Sequence, residues 1–371
     1  MRRFIGEPFE LLGGVVIDPD MVLPAALPLD LCGESVRARL CLFKDHNNRD
    51  MALRPDLTLP VALAEIDLRN RTGLSGENVH RYGARAFRQP AVPGEPMEFT
   101  QVGFERFGAP SSAEIDAETY ALVSEASVAA GVSRGVARFG DLSIVPAFIE
   151  ALDLQPSVKA GLRRAFREAG GVSAYLKLAN RPRDAFIDGL AGLDREAVGA
   201  ALAAKREADG VLHFGNRTED EVVARLMEQA NEGAAGKVSA KTGDVLEAVL
   251  TVECHPREAA TRLTEIAAQA GLSGLDGLIS QLGACFGTIE RAAPQFLDGA
   301  RFSPAFGRRF TYYDGFVFEI GETGERGARP FGAGGRYDRL LSDLSGGSIT
   351  ATAIGGVVRP DRLELAREAS A

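Results

Sequence analysis

The chain has 371 residues, 45% of them hydrophobic and 25% charged, with a formal net charge of −9. That length allows two or three domains, or one large core with an insertion. The acidic total argues against a surface built to neutralise nucleic-acid phosphates, and no apolar run approaches the ~20 residues a bilayer demands.

The start, Met1-Arg2-Arg3-Phe4, lacks the apolar run of a signal peptide, so a cytoplasmic location is expected. Residues 1–150 mix strands with one clear helix. Arg37 to Lys44 alternates partly, as a half-buried strand would. His80–Phe87 and Glu98–Phe107 are further strand candidates, and the three prolines between them forbid a helix there. Ser112 can cap the next helix, with Glu114, Asp116 and Glu118 in its first turns, where the helix dipole favours negative charge. That helix runs to about Ala130 and stops before Gly131.

Residues 151–298 read as a helical region. Thr218-Glu219-Asp220-Glu221 is a capping box, and Pro256 opens a helix that Gly271 stops. Leu275, Leu278, Ile279 and Leu282 fall at helical spacing. Residues 299–371 return to strands. Phe310–Tyr313 and Phe316–Ile320 flank Asp314-Gly315, a hairpin signal. Gly332-Ala333-Gly334-Gly335 reads as a tight turn rather than a phosphate cradle, because it lacks the G-x-x-x-x-G-K-[ST] pattern. Ala353–Val358 reads as a buried strand, and Pro360 opens a last helix. The order strands, helices, strands suggests one α+β domain, residues 1–150 and 299–371, interrupted by a helical insertion at 151–298.

Cys32, Cys41, Cys254 and Cys285 show no C-x-x-C spacing. His46, His80, His213 and His255 lie far apart, in what read as loops or element ends, with no nucleophile beside them. Neither a metal nor a cofactor is expected. Several polar residues fall in segments that read as half-buried: Arg54 to Thr58, Arg88, Gln101, Glu105, Arg308, Tyr312, Tyr313, Arg336 and Tyr337. Gln101 and Glu105, four apart on a strand, share a face. Gathered in one place, these groups suit a zwitterion. A guanidinium binds the carboxylate, Asp56, Thr58 and Gln101 accept from the ammonium, and Glu105 with a tyrosine meets ring N–H donors. Taken singly, each is more often a surface ion pair or a packed tyrosine.

At these residues the sequence resembles a known family. Arg54-Pro55-Asp56-Leu57-Thr58 is similar to the R-P-E-G-T segment of histidyl-tRNA synthetases and to the R-x-D-x-T form of their regulatory paralogues. Phe87 to Glu105 resembles class II synthetase motif 2, and Arg308 to Tyr313 with Val317-Phe318-Glu319 resembles the histidine-specific motif. Gly334 to Asp338 matches G-G-R-Y-D, and Ala353 to Leu363 resembles motif 3. The resemblance implies a class II antiparallel sheet flanked by helices. It also implies that Asp56, Thr58 and Gln101 hold the α-amino group of histidine and that Arg88 meets its carboxylate. Glu105 and Tyr313 would address the imidazole, with Tyr312 and Tyr337 nearby and Arg308 beside the carboxylate. In the family the tyrosine pair belongs to a strand running through Phe318, which would turn the Asp-Gly hairpin into a bulge.

The departures carry the functional expectation. No Lys or Arg occurs between Arg88 and Arg106, and the loop Pro93-Gly94-Glu95-Pro96 is neutral to acidic. A triphosphate depends on cationic clamps, so this loop would bind it poorly. Arg359 replaces the small glycine of motif 3 and would fill adenine or ribose space. The sequence stops shortly after Arg362, where a synthetase would continue into an anticodon-binding domain of ~90 residues. Little precedes motif 1, whose helix builds the family dimer. The expected function is therefore non-catalytic: a regulatory subunit of ATP phosphoribosyltransferase, serving the first step of histidine biosynthesis. Its expected partners are the short-form catalytic subunit, further copies of itself within a hetero-oligomer, and L-histidine as effector, with no nucleic acid and no membrane. The alternative is a histidyl-tRNA synthetase-like enzyme that adenylates an amino acid.

Overall fold

The computed structural model describes residues 2–167, 171–179, 185–210, 218–234, 238–307, 311–322 and 330–370. The chain divides into two compact units, residues 1–145 with 249–371, and residues 146–248. Two expected positions, Arg308 and His213, lie outside the described residues.

The strands of the first unit are β1 (Val15–Val16), β2 (Val22–Pro24), β3 (Leu42–Lys44), β4 (Asp50–Leu53), β5 (Asn78–Phe87), β6 (Glu98–Phe107), β7 (Val136–Asp141), β8 (Arg301–Phe302), β9 (Phe316–Gly321), β10 (Pro330–Arg336) and β11 (Ala353–Val358). Eight of them form one sheet in the order β1-β5-β6-β11-β10-β9-β7-β8. The inner pairings are all antiparallel, and only the two-residue edge strands β1 and β8 pair in parallel. A small antiparallel sheet, β2-β4-β3, stands apart from it. This is the α+β, mainly antiparallel arrangement that the resemblance implies.

Helix Ala113–Ala129 packs on β10 and β11, capped by Ser112, whose hydroxyl accepts from the Ile115 amide at 3.4 Å. Beneath it Phe139, Phe286, Phe302, Phe316 and Phe318 meet edge to face, tilted or, for Phe139 and Phe316, stacked, with Tyr120 against Phe139 and Phe318. Burying each such ring stabilises the fold by ~1.5–3 kcal/mol. Phe286 belongs to helix Asp276–Ala292, and this explains a difference from the expected boundary. The sequence grouped that helix with the insertion, but its ring sits 5.3 Å from Phe139, so the helical unit closes at residue 248 rather than 298.

The second unit has its own small core of Leu190, Val198, Leu202, Val223 and Ala230. Helix Glu219–Ala234 opens with the expected box: the Glu221 carboxylate accepts from the Thr218 amide at 2.8 Å, and the Thr218 hydroxyl accepts from the Glu221 amide at 3.3 Å. Among the described residues no helix is long and apolar enough to cross a membrane.

Three local expectations are corrected. Arg37 ends a short helix, Glu34–Arg37, and only Leu42–Lys44 of the expected 37–44 strand pairs. Tyr312 and Tyr313 lie in irregular chain before β9, so Asp314-Gly315 closes no hairpin among the described residues. The Asp314 carboxylate instead accepts from the Asp338 and Arg339 amides, at 3.0 Å each, and ties this segment to the end of β10. The glycines 332, 334 and 335 lie in a strand, not in a tight turn with positive φ. A Cβ at Gly334 would stand 2.6 Å from the Gly355 carbonyl and 2.7 Å from the Phe318 ring, so close strand packing is what demands glycine there.

Candidate amino-acid site

The site is built on the first unit. β4 leads into helix Thr58–Thr72; the turn between them carries Asp56, and Thr58 opens the helix. Arg54 secures that turn: its guanidinium donates to the Arg85 carbonyl at 2.7 Å and to the Pro19 carbonyl, and is almost wholly buried. Its role is structural, because these two bonds fasten one stretch of backbone to another.

β5 and β6 set the rest. Their register places Ala84 opposite Gln101 and His80 opposite Glu105, so His80, Tyr82 and Ala84 share a face with Gln101 and Glu105. Glu105 is the centre. It is 2% exposed and accepts from Thr58 Oγ1 at 2.8 Å, from Tyr82 Oη at 2.9 Å and from the Tyr337 hydroxyl. Burial pushes its carboxyl up to about 7, against the pull of these three hydroxyls. Burial also holds the Tyr82 and Tyr337 phenols well above their ordinary range, so both remain donors. Room for the Glu105 carboxylate comes from Gly355, its partner on β11: a Cβ there would fall inside the carboxylate.

Asp56 is 3% exposed and accepts from the Leu59 amide at 3.3 Å and from Tyr312 Oη at 3.2 Å. Burial raises its carboxyl, and the nearby Arg88 guanidinium pulls it back. Arg88 is half-buried. It donates from Nε to the Pro55 carbonyl at 2.7 Å, and its guanidinium carbon lies 5.3 Å from the Phe99 ring centre. Burial lowers the Arg88 value while Asp56 supports its charge. Gln101 is buried, and its Oε1 finds no hydrogen-bond partner among the described residues. A buried amide oxygen without a donor costs about 1–3 kcal/mol, which an incoming N–H group would recover. Tyr313 completes the wall, its ring 4.9 Å from Tyr312 and 6.2 Å from Tyr337.

Eight of the nine expected residues therefore meet in one region: Asp56, Thr58, Arg88, Gln101, Glu105, Tyr312, Tyr313 and Tyr337. Arg308 is the ninth. Arg336, next to Tyr337, turns away and donates to Asp116 at 2.6 Å and Asp338 at 3.0 Å. Tyr82 was missed. Strand alternation marks its face, but only the β5–β6 register brings it to Glu105. His80 was read as a loop or strand-end residue, whereas it is 3% exposed within β5 and lies 2.7 Å from Glu65. Glu65 also accepts from Arg69 at 2.6 Å and Asn78 at 2.7 Å, which fixes helix Thr58–Thr72 against β5. Among the described residues no group of three or more His, Cys, Asp or Glu is placed to hold a metal ion.

The arrangement offers acids and an amide oxygen to an ammonium, a guanidinium to a carboxylate, and Glu105 to a ring N–H. A carboxylate has about four acceptor positions, and the hydroxyls on Glu105 occupy three.

A family model described as histidyl-tRNA synthetase matches residues 28–230 and 189–363. Solved structures agree on the fold. A Bacillus halodurans protein described as an ATP phosphoribosyltransferase regulatory subunit/histidyl-tRNA synthetase aligns over 100% of this chain and 78% of its own, with TM-score 0.60 and 21% identity. A histidine–tRNA ligase subunit from Alicyclobacillus acidocaldarius aligns over 99% and 91%, with TM-score 0.57 and 21% identity. Fold and site together define a class II synthetase-like protein of the histidyl-tRNA synthetase type.

The curated relatives are more specific. The ATP phosphoribosyltransferase regulatory subunit of Mesorhizobium japonicum is 34% identical over 95% of this chain and 94% of its own length. Its counterpart in Allorhizobium ampelinum is 31% identical over 97% and 96%. The chain belongs to the family of ATP phosphoribosyltransferase regulatory subunits.

Proposed function

We propose that this chain is the non-catalytic, histidine-sensing regulatory subunit of an ATP phosphoribosyltransferase, and that free histidine binds in the cage around Glu105. The reading rests on one observation. Gln101 presents a buried amide oxygen, without a hydrogen-bond partner among the described residues, on the same strand face as a carboxylate already held by three hydroxyls. That pairing suits an ammonium and a ring N–H at once. Arg88, beside Asp56, takes the carboxylate bidentately. The partner is the short-form catalytic subunit, and the working assembly is a hetero-oligomer in the cytoplasm.

Binding shifts the assembly between a more and a less active state. An affinity difference of ~10–100-fold between states corresponds to about 1–3 kcal/mol of coupling, a typical allosteric magnitude. The test combines calorimetry with catalysis. Histidine should bind the purified subunit in the micromolar range, and the reconstituted assembly should lose activity over the same range. Absence of histidine binding, both alone and with the partner, refutes the sensing role.

One observation favours a second reading, an enzyme that adenylates an amino acid: Arg88 and Arg362 of motifs 2 and 3 are both retained. Histidine-dependent pyrophosphate exchange would support it. No exchange at millimolar ATP is expected.

A further inference from the structure

The loop between β5 and β6 closes over a group of guanidiniums. Its Glu95 side chain is 11% exposed and bridges two of them: Oε2 accepts from Arg39 Nη2 at 3.0 Å, and Oε1 accepts from Arg362 Nη2 at 3.1 Å. The Ala91 amide also donates to Oε2, at 2.9 Å, which folds the loop around the carboxylate. Arg39 holds the loop base as well, through its Nε to the Gln89 carbonyl at 2.5 Å, and the Gln89 amide returns a bond to the Arg39 carbonyl at 2.7 Å. Beside this clasp the Arg359 guanidinium lies 3.7 Å from the Phe99 ring centre and forks onto Asp361 at 2.9 and 2.5 Å. Arg88 flanks the same ring.

Arg39, Arg88, Arg359 and Arg362 come from three distant stretches of sequence. Like charges at this spacing repel, so anions or an aromatic face must offset them. A two-guanidinium seat beside a flat ring has the chemistry of a nucleoside polyphosphate site, with stacking for the base and forked donors for phosphate oxygens. Here both oxygens of one carboxylate occupy the seat.

We propose that Glu95 is an internal anion filling a latent polyphosphate seat formed by Arg39 and Arg362, and that this clasp closes the seat to nucleotides. The inference rests on the amino-acid-site reading and deepens it. The protein excludes ATP chiefly by occupying the seat with its own carboxylate, so the cations are masked rather than lost.

Inorganic tripolyphosphate and ATP, titrated calorimetrically against the full chain, provide the test. The unaltered protein should show no binding at millimolar concentration. Glu95→Gln, which keeps the shape and removes the charge, should bind tripolyphosphate at least ~10-fold more tightly. Adding Arg39→Gln to that variant should abolish the gain, and high salt should shrink it. Glu95→Asp keeps the charge but is too short to bridge both arginines, so it should gain several-fold, and it decides the matter if the Gln variant does not fold. Folded variants that bind no better than the unaltered chain overturn the proposal, as does tight binding by the unaltered chain. A histidine titration of the same samples separates the two readings. Histidine binding without a polyphosphate gain sinks the clasp alone. A polyphosphate gain without histidine binding sinks the amino-acid site alone.

Discussion

Two halves of the β5–β6 surface handle charge in opposite ways. Around Glu105 the groups are satisfied just short of completion: hydroxyls hold the acid, and the Gln101 amide oxygen has no donor among the described residues. Around Glu95 the matching is internal, with one carboxylate between two guanidiniums and a second on Arg359. The first half has capacity for a ligand, and the second has spent its capacity on itself. On the proposed reading, a site closes to nucleotides without losing its arginines, because a single carboxylate on a loop supplies the counter-charge. Substitutions on either half test whether the halves are as independent as this contrast requires.

The largest effect is expected from Gly355→Ala. The added methyl falls inside the Glu105 carboxylate and must expel it. Histidine binding should drop below detection, with a stability loss of about 1–3 kcal/mol from overpacking, read by calorimetry and thermal melting. The Glu95 clasp should survive, so a gain in polyphosphate binding in this variant would break the separation of the halves. Arg88→Ala comes next. It leaves Asp56 without its guanidinium and the ligand carboxylate without a donor, a loss of roughly 3 kcal/mol or some hundredfold in histidine affinity. Inhibition of the reconstituted enzyme should weaken in proportion, and unchanged affinity would place the carboxylate elsewhere.

Glu105→Gln sharpens the contrast through pH. The folded-state value of Glu105, about 7, lies above its ordinary 4.5, so ionising it works against the fold. The stability carried by the protonated form is complete below about 4.5 and disappears as pH rises through about 7. The unaltered chain should therefore lose roughly 2–3 kcal/mol relative to Glu105→Gln between pH 4.5 and 8, measured by urea unfolding in the absence of histidine. A stability difference that stays constant across that range contradicts an acid whose burial outweighs its three hydroxyl donors. The smallest change is Tyr82→Phe, which removes one of three donors to Glu105. It should cost ~1 kcal/mol of histidine affinity and move the Glu105 transition further upward, visible by carboxyl-labelled NMR titration. No change in either would leave Tyr82 as packing only.

Local chemistry made much of the architecture legible. The capping serine at 112, the box at Thr218 and the prolines between β5 and β6 act over a few residues, and the structure follows them. The resemblance carried the choice of site residues, because ordered motifs report the lineage of a chain. Local signals failed where the deciding atoms lie elsewhere in the chain. The same run of glycines serves a turn or a crowded strand, and only Phe318 and the Gly355 carbonyl, brought in by β9 and β11, decide for the strand. Asp-Gly signals a hairpin until the Asp338 and Arg339 amides claim the Asp314 carboxylate.

The sequence by itself therefore determined the elements whose ends are written in neighbouring residues, together with the inventory of acids, arginines and phenols available for a ligand. Tertiary structure alone decided which of those groups meet. Strand register brought Tyr82 to Glu105, and loop closure set Glu95 between Arg39 and Arg362. The physical reason is range: a cap or a turn is settled by hydrogen bonds within a few residues, whereas burial, pairing and the protonation of Glu105 depend on atoms that only the folded chain brings within a few ångströms.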